Sequence, residues 1–209
     1  MDIYGIAVQI VVLVFSVIVH EVSHGFAAYK LGDPTAKREG RLTLNPLPHI
    51  DPFMSILMPV FLIFTHAGFI IGGAKPVPIN PLYFSHHRRD IMLTSLAGPG
   101  SNLLLGLVCA LLLKVISVVP AAQLPAVEML LSYGLLINVG LAVFNLIPIP
   151  PLDGSKVLAF FLPARMEEAY YRIEPFGIFI IMALMFTGMF NYIFPPIFHF
   201  VMNLFSMLQ

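Results

Sequence analysis

Apolar residues along the chain gather into long runs separated by short breaks rich in Gly, Pro and charge. The first run extends from about Tyr4 to Leu31 and stops at Gly32-Asp33-Pro34, where a Gly closely followed by a Pro does not continue a helix. Further runs cover about Phe53 to Ile71, Ile91 to Val119, Glu128 to Ile147 and Phe176 to Phe194, and a shorter one runs from Ile197 to Gln209. Several reach the roughly 20 residues that a helix needs to cross about 30 Å of hydrocarbon. A different pattern occurs at 38–46, where Leu42 and Leu44 alternate with Arg41 and Thr43, and it predicts a short edge strand or hairpin.

Composition agrees with a bilayer environment. The 209 residues are 58% hydrophobic and only 11% charged, with a mean hydropathy of +0.90. What lies between the runs is too short for a separate soluble domain, so a single membrane domain over residues 1–209 is expected. Lys plus Arg equals Asp plus Glu at 11 each, which speaks for neither a nucleic acid nor a polyacidic partner. Cys109 is the sole cysteine, which excludes an internal disulfide and a Cys-based metal site. The first run lacks a basic leader and a small-residue cleavage site and continues past His24, so it reads as a retained helix rather than a signal peptide.

The candidate chemistry begins inside that first run, at His20-Glu21-Val22-Ser23-His24. Residues four apart share one helical face, so His20 and His24 can offer imidazole nitrogens to one ion. Glu21 can approach a water on that ion without being a ligand. In such an HExxH arrangement zinc lowers the pKa of its water toward about 7 and the Glu takes the proton. An ionisable residue deep in a membrane helix costs on the order of 3 kcal/mol unless it faces a polar interior, so three within five positions need a purpose. The competing readings are a hydrogen-bonded cluster that holds helices together and a non-hydrolytic metal or haem site.

Catalytic zinc takes three protein ligands plus water. The leading candidate for the third is Asp153 in Asn145-Leu146-Ile147-Pro148-Ile149-Pro150-Pro151-Leu152-Asp153-Gly154, where prolines end a helix and broken backbone could line a polar cavity. An ordinary loop Asp is the alternative, and His49, His66, His86 and His87 are rivals for the position.

If Asp153 is to reach the depth of His20 and His24, four full crossings up to Ile147 would leave it on the wrong side. The conflict disappears if Phe53 to Ile71, interrupted by Pro59, His66 and Gly68, enters the membrane and returns on the same side. Charge placement offers a check through the enrichment of Lys and Arg on the cytoplasmic side. With a re-entrant segment, Lys30, Lys37, Arg38, Arg41, Lys75, Arg88, Arg89, Lys156, Arg165 and Arg172 share one side and only Lys114 lies on the other. The expected fold is an all-α polytopic membrane protein with about four full transmembrane helices, a re-entrant segment at 53–71 and a short membrane-associated strand at 38–46. Its N-terminus is expected outside and its active site toward the cytosol.

His20-Glu21-Val22-Ser23-His24-Gly25, Ala97-Gly98-Pro99-Gly100-Ser101-Asn102 and the Asn145 to Gly154 segment together resemble the site-2 protease family of intramembrane zinc metalloproteases. Gly40-Arg41-Leu42-Thr43-Leu44-Asn45-Pro46 and Lys75-Pro76-Val77-Pro78-Ile79-Asn80-Pro81 also look like the linking segments of its small bacterial branch. The resemblance implies that His20, His24 and Asp153 bind one zinc ion, that Glu21 is the base, and that Asn102 and Asn145 line the site as substrate or oxyanion donors. It implies a zinc-dependent endopeptidase that cuts transmembrane segments of membrane proteins within a prokaryotic cell membrane. The expected partners are a transmembrane protein substrate and the lipid bilayer, with no nucleic acid, and a homo-oligomer stays open.

A substrate helix must unwind to expose its peptide bonds, and the strand at Arg41, Leu42, Thr43 and Leu44 is expected to pair with it. Rivals from other classes are a divalent-metal transporter and a non-catalytic scaffold; the intact Glu21 argues against the latter. Other features take plain readings. The 11 Met and 18 Phe are lipid-facing or core filler. His86-His87-Arg88-Arg89 is a solvated or headgroup-facing turn, Glu167-Glu168 and the nearby tyrosines form an interfacial helix, and Asn138 is structural.

Overall fold

The computed structural model describes residues 3–51, 74–118 and 124–207. The helices are α1 (Ile3–Lys30), α2 (Thr35–Arg38), α3 (His87–Val118), α4 (Pro125–Asn145), α5 (Asp153–Phe161), α6 (Ala164–Tyr171), α7 (Gly177–Phe186) and α8 (Phe190–Ser206). α1, α3, α4 and the stretch Ala164–Phe186 are each long and apolar enough to cross a membrane. α4 starts with Pro125 in its first turn, where a missing N–H costs nothing.

The helices meet through small and polar side chains. Val12, Ser16, His20, His24 and Ala28 form a buried stripe at intervals of four on α1. α3 answers with Asp90, Thr94, Gly98, Asn102, Gly106 and Ala110, and α4 with Gly134, Asn138 and Ala142 among its buried positions. Bulky residues such as Leu13, Phe15, Leu104 and Leu111 are exposed instead. In lipid an apolar side chain gains nothing by leaving hydrocarbon, so close backbone approach and hydrogen bonds carry the packing. A larger apolar cluster forms where Ala110, Leu135, Val139 and Val143 meet Phe194, Phe198 and Phe205 of α8.

Pairings along the stripes set the directions. His24 meets Thr94 and His20 meets Asn102, so α1 and α3 are antiparallel and Lys30 lies at the same end of the bundle as His87. Asn102 meets Asn138 and Cys109 packs against Gly134, so α4 runs back again and delivers the loop before α5 to that end.

Four expectations need revision. Among the described residues there is no strand, and 38–46 is the end of α2 followed by turns and bends. The alternation of Leu42 and Leu44 loses to local bonds: Thr43 Oγ1 accepts from the Asn45 N–H, the Thr43 carbonyl bonds His49 Nε2, and Asn45 Oδ1 accepts from the Leu47 N–H. Prolines at 46, 48, 76 and 78 also remove donors that a ladder with the neighbouring 74–80 segment would need. The expected helix from Phe176 to Phe194 is broken at Gly188, whose φ of 73° is open to glycine and ends α7. The last helix starts at Phe190 and carries Pro195 and Pro196 inside it, where they were expected to separate two elements. The re-entrant segment expected at 53–71 lies outside the described residues, apart from which α3 also begins earlier than Ile91, taking His87-Arg88-Arg89 into its first turn.

Candidate metal centre and active site

His20 and His24 lie 4 positions apart on α1, about 15 Å of helix rise or less from its Lys30 end. Asp153 opens α5 and is brought to them by the loop at 146–152. That loop turns tightly, with the Ile149 N–H on the Ile147 carbonyl and the Leu152 N–H on the Ile149 carbonyl. A Cβ at Gly154 would lie 2.1 Å from the Leu146 carbonyl oxygen, so only glycine lets the loop fold back over α5. At the far end of α5, Arg88 of α3 donates to the carbonyls of Ala159, Phe160 and Leu162 and pairs with Glu167 of α6.

The three ligand atoms form a nearly equilateral triangle. His20 Nε2 and His24 Nε2 are 3.0 Å apart, and Asp153 Oδ2 is 3.1 Å from the first and 3.2 Å from the second. A tetrahedral zinc with ligands at about 2.0–2.1 Å has ligand-to-ligand edges of about 3.3–3.4 Å, so the triangle matches one face of such a site within a few tenths of an ångström. His20 Nδ1 meets Asn102 Oδ1 at 2.6 Å and His24 Nδ1 meets the Thr94 carbonyl at 2.7 Å. Both outer nitrogens thus face acceptors and hold the ring protons, which turns both Nε2 lone pairs inward. Three lone pairs aimed at one point repel each other unless a cation stands among them, and the donor set of two imidazoles and one carboxylate suits zinc.

Gly98 covers this triangle. A Cβ there would lie 2.4 Å from His24 Nε2 and 2.6 Å from His20 Nε2, so α3 leaves the space over the ligand atoms open by having no side chain at that point.

Glu21 follows His20 on the same helix, and its Oε2 accepts the Val77 N–H at 2.9 Å. Val77 belongs to a strap, residues 74–80, tied down at each end. The Lys75 N–H donates to the His49 carbonyl, Arg41 donates to the carbonyls of Lys75 and Pro76, and the Asn80 N–H donates to Asp33. Gly25 permits the strap's approach, since a Cβ there would lie 2.7 Å from Val77 Cγ1 and 2.8 Å from Leu42 Cδ2.

The family model of peptidase family M50 matches residues 114–188, which hold Asn145 and Asp153. YwhC of Bacillus subtilis (strain 168), named as a zinc metalloprotease, is 36% identical over 191 residues, 90% of this chain and 84% of its own length. The chain belongs to peptidase family M50. Within M50, Rip2 of Mycolicibacterium smegmatis, also named as a zinc metalloprotease, is 31% identical over 179 residues, 84% of this chain. Rip2 of Mycobacterium tuberculosis (strain H37Rv) is 29% identical over 169 residues. This chain spans 65% and 62% of the length of these two M50 relatives. No solved structure matches the chain significantly.

The fold therefore brings His20, His24 and Asp153 together, with Glu21 next to His20 on α1. Of the rival histidines, His49 is buried against Thr43 and His86 and His87 stand exposed before and at the start of α3, all outside the triangle; His66 lies outside the described residues. Asn102 stands behind His20, with both amide hydrogens engaged by Asn138 Oδ1 and the Ser16 carbonyl. Asn145 donates to the Leu141 carbonyl one turn earlier. Arg41, Leu42, Thr43 and Leu44 form no strand, and Arg41 is a buried anchor for the strap. The sequence reading passed over Ser16, took Asn138 as structural and saw Val77 only as part of a linking segment; an Asn and a Ser in membrane helices, each facing a neighbour at helical spacing, were the available signals.

Proposed function

We propose that this chain is a zinc-dependent endopeptidase that cleaves transmembrane segments of membrane proteins inside the bilayer. The observation that carries the reading is the triangle of inward lone pairs from His20, His24 and Asp153, set among apolar helices and next to Glu21. Bound zinc would supply Lewis acidity, acidifying an attacking water and polarising the scissile carbonyl. Glu21 accepts the proton of that water and returns it to the leaving amide nitrogen. The Val77 N–H holds one Glu21 oxygen and leaves the other for this task. Asn102, with its amide hydrogens spent, positions His20, and the remaining amide hydrogen of Asn145 is the donor for the developing oxyanion.

The site lies toward the end of the bundle that carries Lys30, Lys75, Arg88 and Arg89, and the enrichment of Lys and Arg on the inner side of membranes supports a cytosolic-facing site and an external N-terminus. A reporter fused near Lys75 should be cytosolic. Mass spectrometry of membranes with and without the active chain tests the substrate class: new termini should fall within membrane-spanning segments, and termini confined to extramembrane loops would contradict it.

A further inference from the structure

We propose that Asn138, in the middle of α4, is a positioning residue for the metal site: it fixes the direction of an amide relay that ends on His20. The proposal rests on the zinc reading above. Asn138 is 3% exposed and Asn102 and Ser16 less so, so no water competes for their bonds. Asn138 Nδ2 donates to the Gly134 carbonyl at 2.8 Å and to Ser16 Oγ at 2.9 Å. A carbonyl only accepts, so the amide hydrogens of Asn138 are committed to that side and its Oδ1 must face Asn102. Asn102 Nδ2 donates to this Oδ1 at 2.8 Å and to the Ser16 carbonyl at 3.3 Å. Its own Oδ1 then faces His20 Nδ1 at 2.6 Å, which keeps the ring proton on Nδ1 and the lone pair on Nε2.

The need for a second amide follows from comparing the two histidines. His24 Nδ1 bonds the Thr94 backbone carbonyl, which cannot turn round. His20 Nδ1 bonds a side-chain amide, which can. A reversed Asn102 would set N–H groups against Nδ1, drive the ring proton to Nε2 and place it where the metal must bind. The longer Ser16 bond is a weak guard alone; Asn138 supplies the short one.

The test measures zinc affinity of the full chain in nanodiscs by chelator competition, together with the visible spectrum of its Co2+ form, for wild type, Asn138→Leu, Asn138→Asp and Ser16→Ala. Asn138→Leu should weaken zinc about tenfold or more and shift the Co2+ bands. Asn138→Asp, kept neutral by burial in this apolar layer, can donate its O–H to the Gly134 carbonyl and keep its other oxygen for Asn102, so it should stay within about threefold of wild type. Ser16→Ala removes a bond from the same buried layer without altering the relay's direction, and should also stay within about threefold. The proposal is overturned if Asn138→Leu binds like wild type, or if Ser16→Ala or Asn138→Asp loses as much as Asn138→Leu. If Asn138→Leu does not fold, Asn138→Asp decides, since a tenfold loss there overturns the relay. A wild type that binds no zinc overturns the zinc reading itself, a distinct result.

Discussion

The Val77 N–H donates to the Glu21 carboxylate across 2.9 Å, and within Pro76-Val77-Pro78 it is the only N–H the backbone has. The flanking prolines restrict the chain and leave one donor, which the strap's anchors aim at the side chain next to His20. Val77→Pro removes that donor and should lower turnover of a model substrate about tenfold while zinc content stays at wild type. Val77→Ala, which keeps the amide, should retain most activity. Equal losses in both would assign Val77 a packing role only. Comparing turnover with metal content on the same preparations makes the distinction.

Gly98 predicts a steric result. A methyl at this position would lie closer to both ligand nitrogens than any carbon can, so Gly98→Ala should lose zinc. Gly100, whose Cβ would meet nothing within 4 Å, should accept Ala without effect on metal content. Elemental analysis of the two purified variants checks the pair.

Metal removal should loosen the junction between α1 and α5. Asp153 Oδ2 stands against His20 and His24, and without a cation the three converging lone pairs repel. A ligand present at about 1,000 times its Kd stabilises a fold by about 4 kcal/mol. Chelation should therefore lower the thermal midpoint in nanodiscs, with recovery on adding zinc. Asp153→Ala, which lacks one ligand, should show a midpoint that added zinc does not raise.

The helices α1, α3 and α4 were legible in the sequence because unbroken apolar runs of that length have few other fates in water or lipid. His20, Glu21 and His24 were legible because four-residue spacing on a helix fixes their common face. Asp153 needed more, since its approach depends on a loop whose path the spacing does not set. The strand at 38–46 failed because alternation in four residues is weak against side-chain bonds from Thr43 and Asn45 and against prolines that cannot donate. Gly188 and Pro195-Pro196 show the same limit in reverse. In lipid, neighbouring helices sustain a proline within α8, while one glycine with positive φ ends α7. Asn138 and Val77 were hidden because their importance lies in partners 36 and 56 residues away.

The central claim is that His20, His24 and Asp153 hold the zinc with which Glu21 cuts a membrane-spanning substrate. It is tested most directly by measuring zinc content and cleavage of one transmembrane substrate in the same liposomes, for wild type and Glu21→Gln. The account predicts equal zinc, about one ion per chain, and a loss of cleavage by about 100-fold or more in Glu21→Gln. Cleavage by Glu21→Gln at the wild-type rate, or cleavage by a wild type free of zinc, would contradict it.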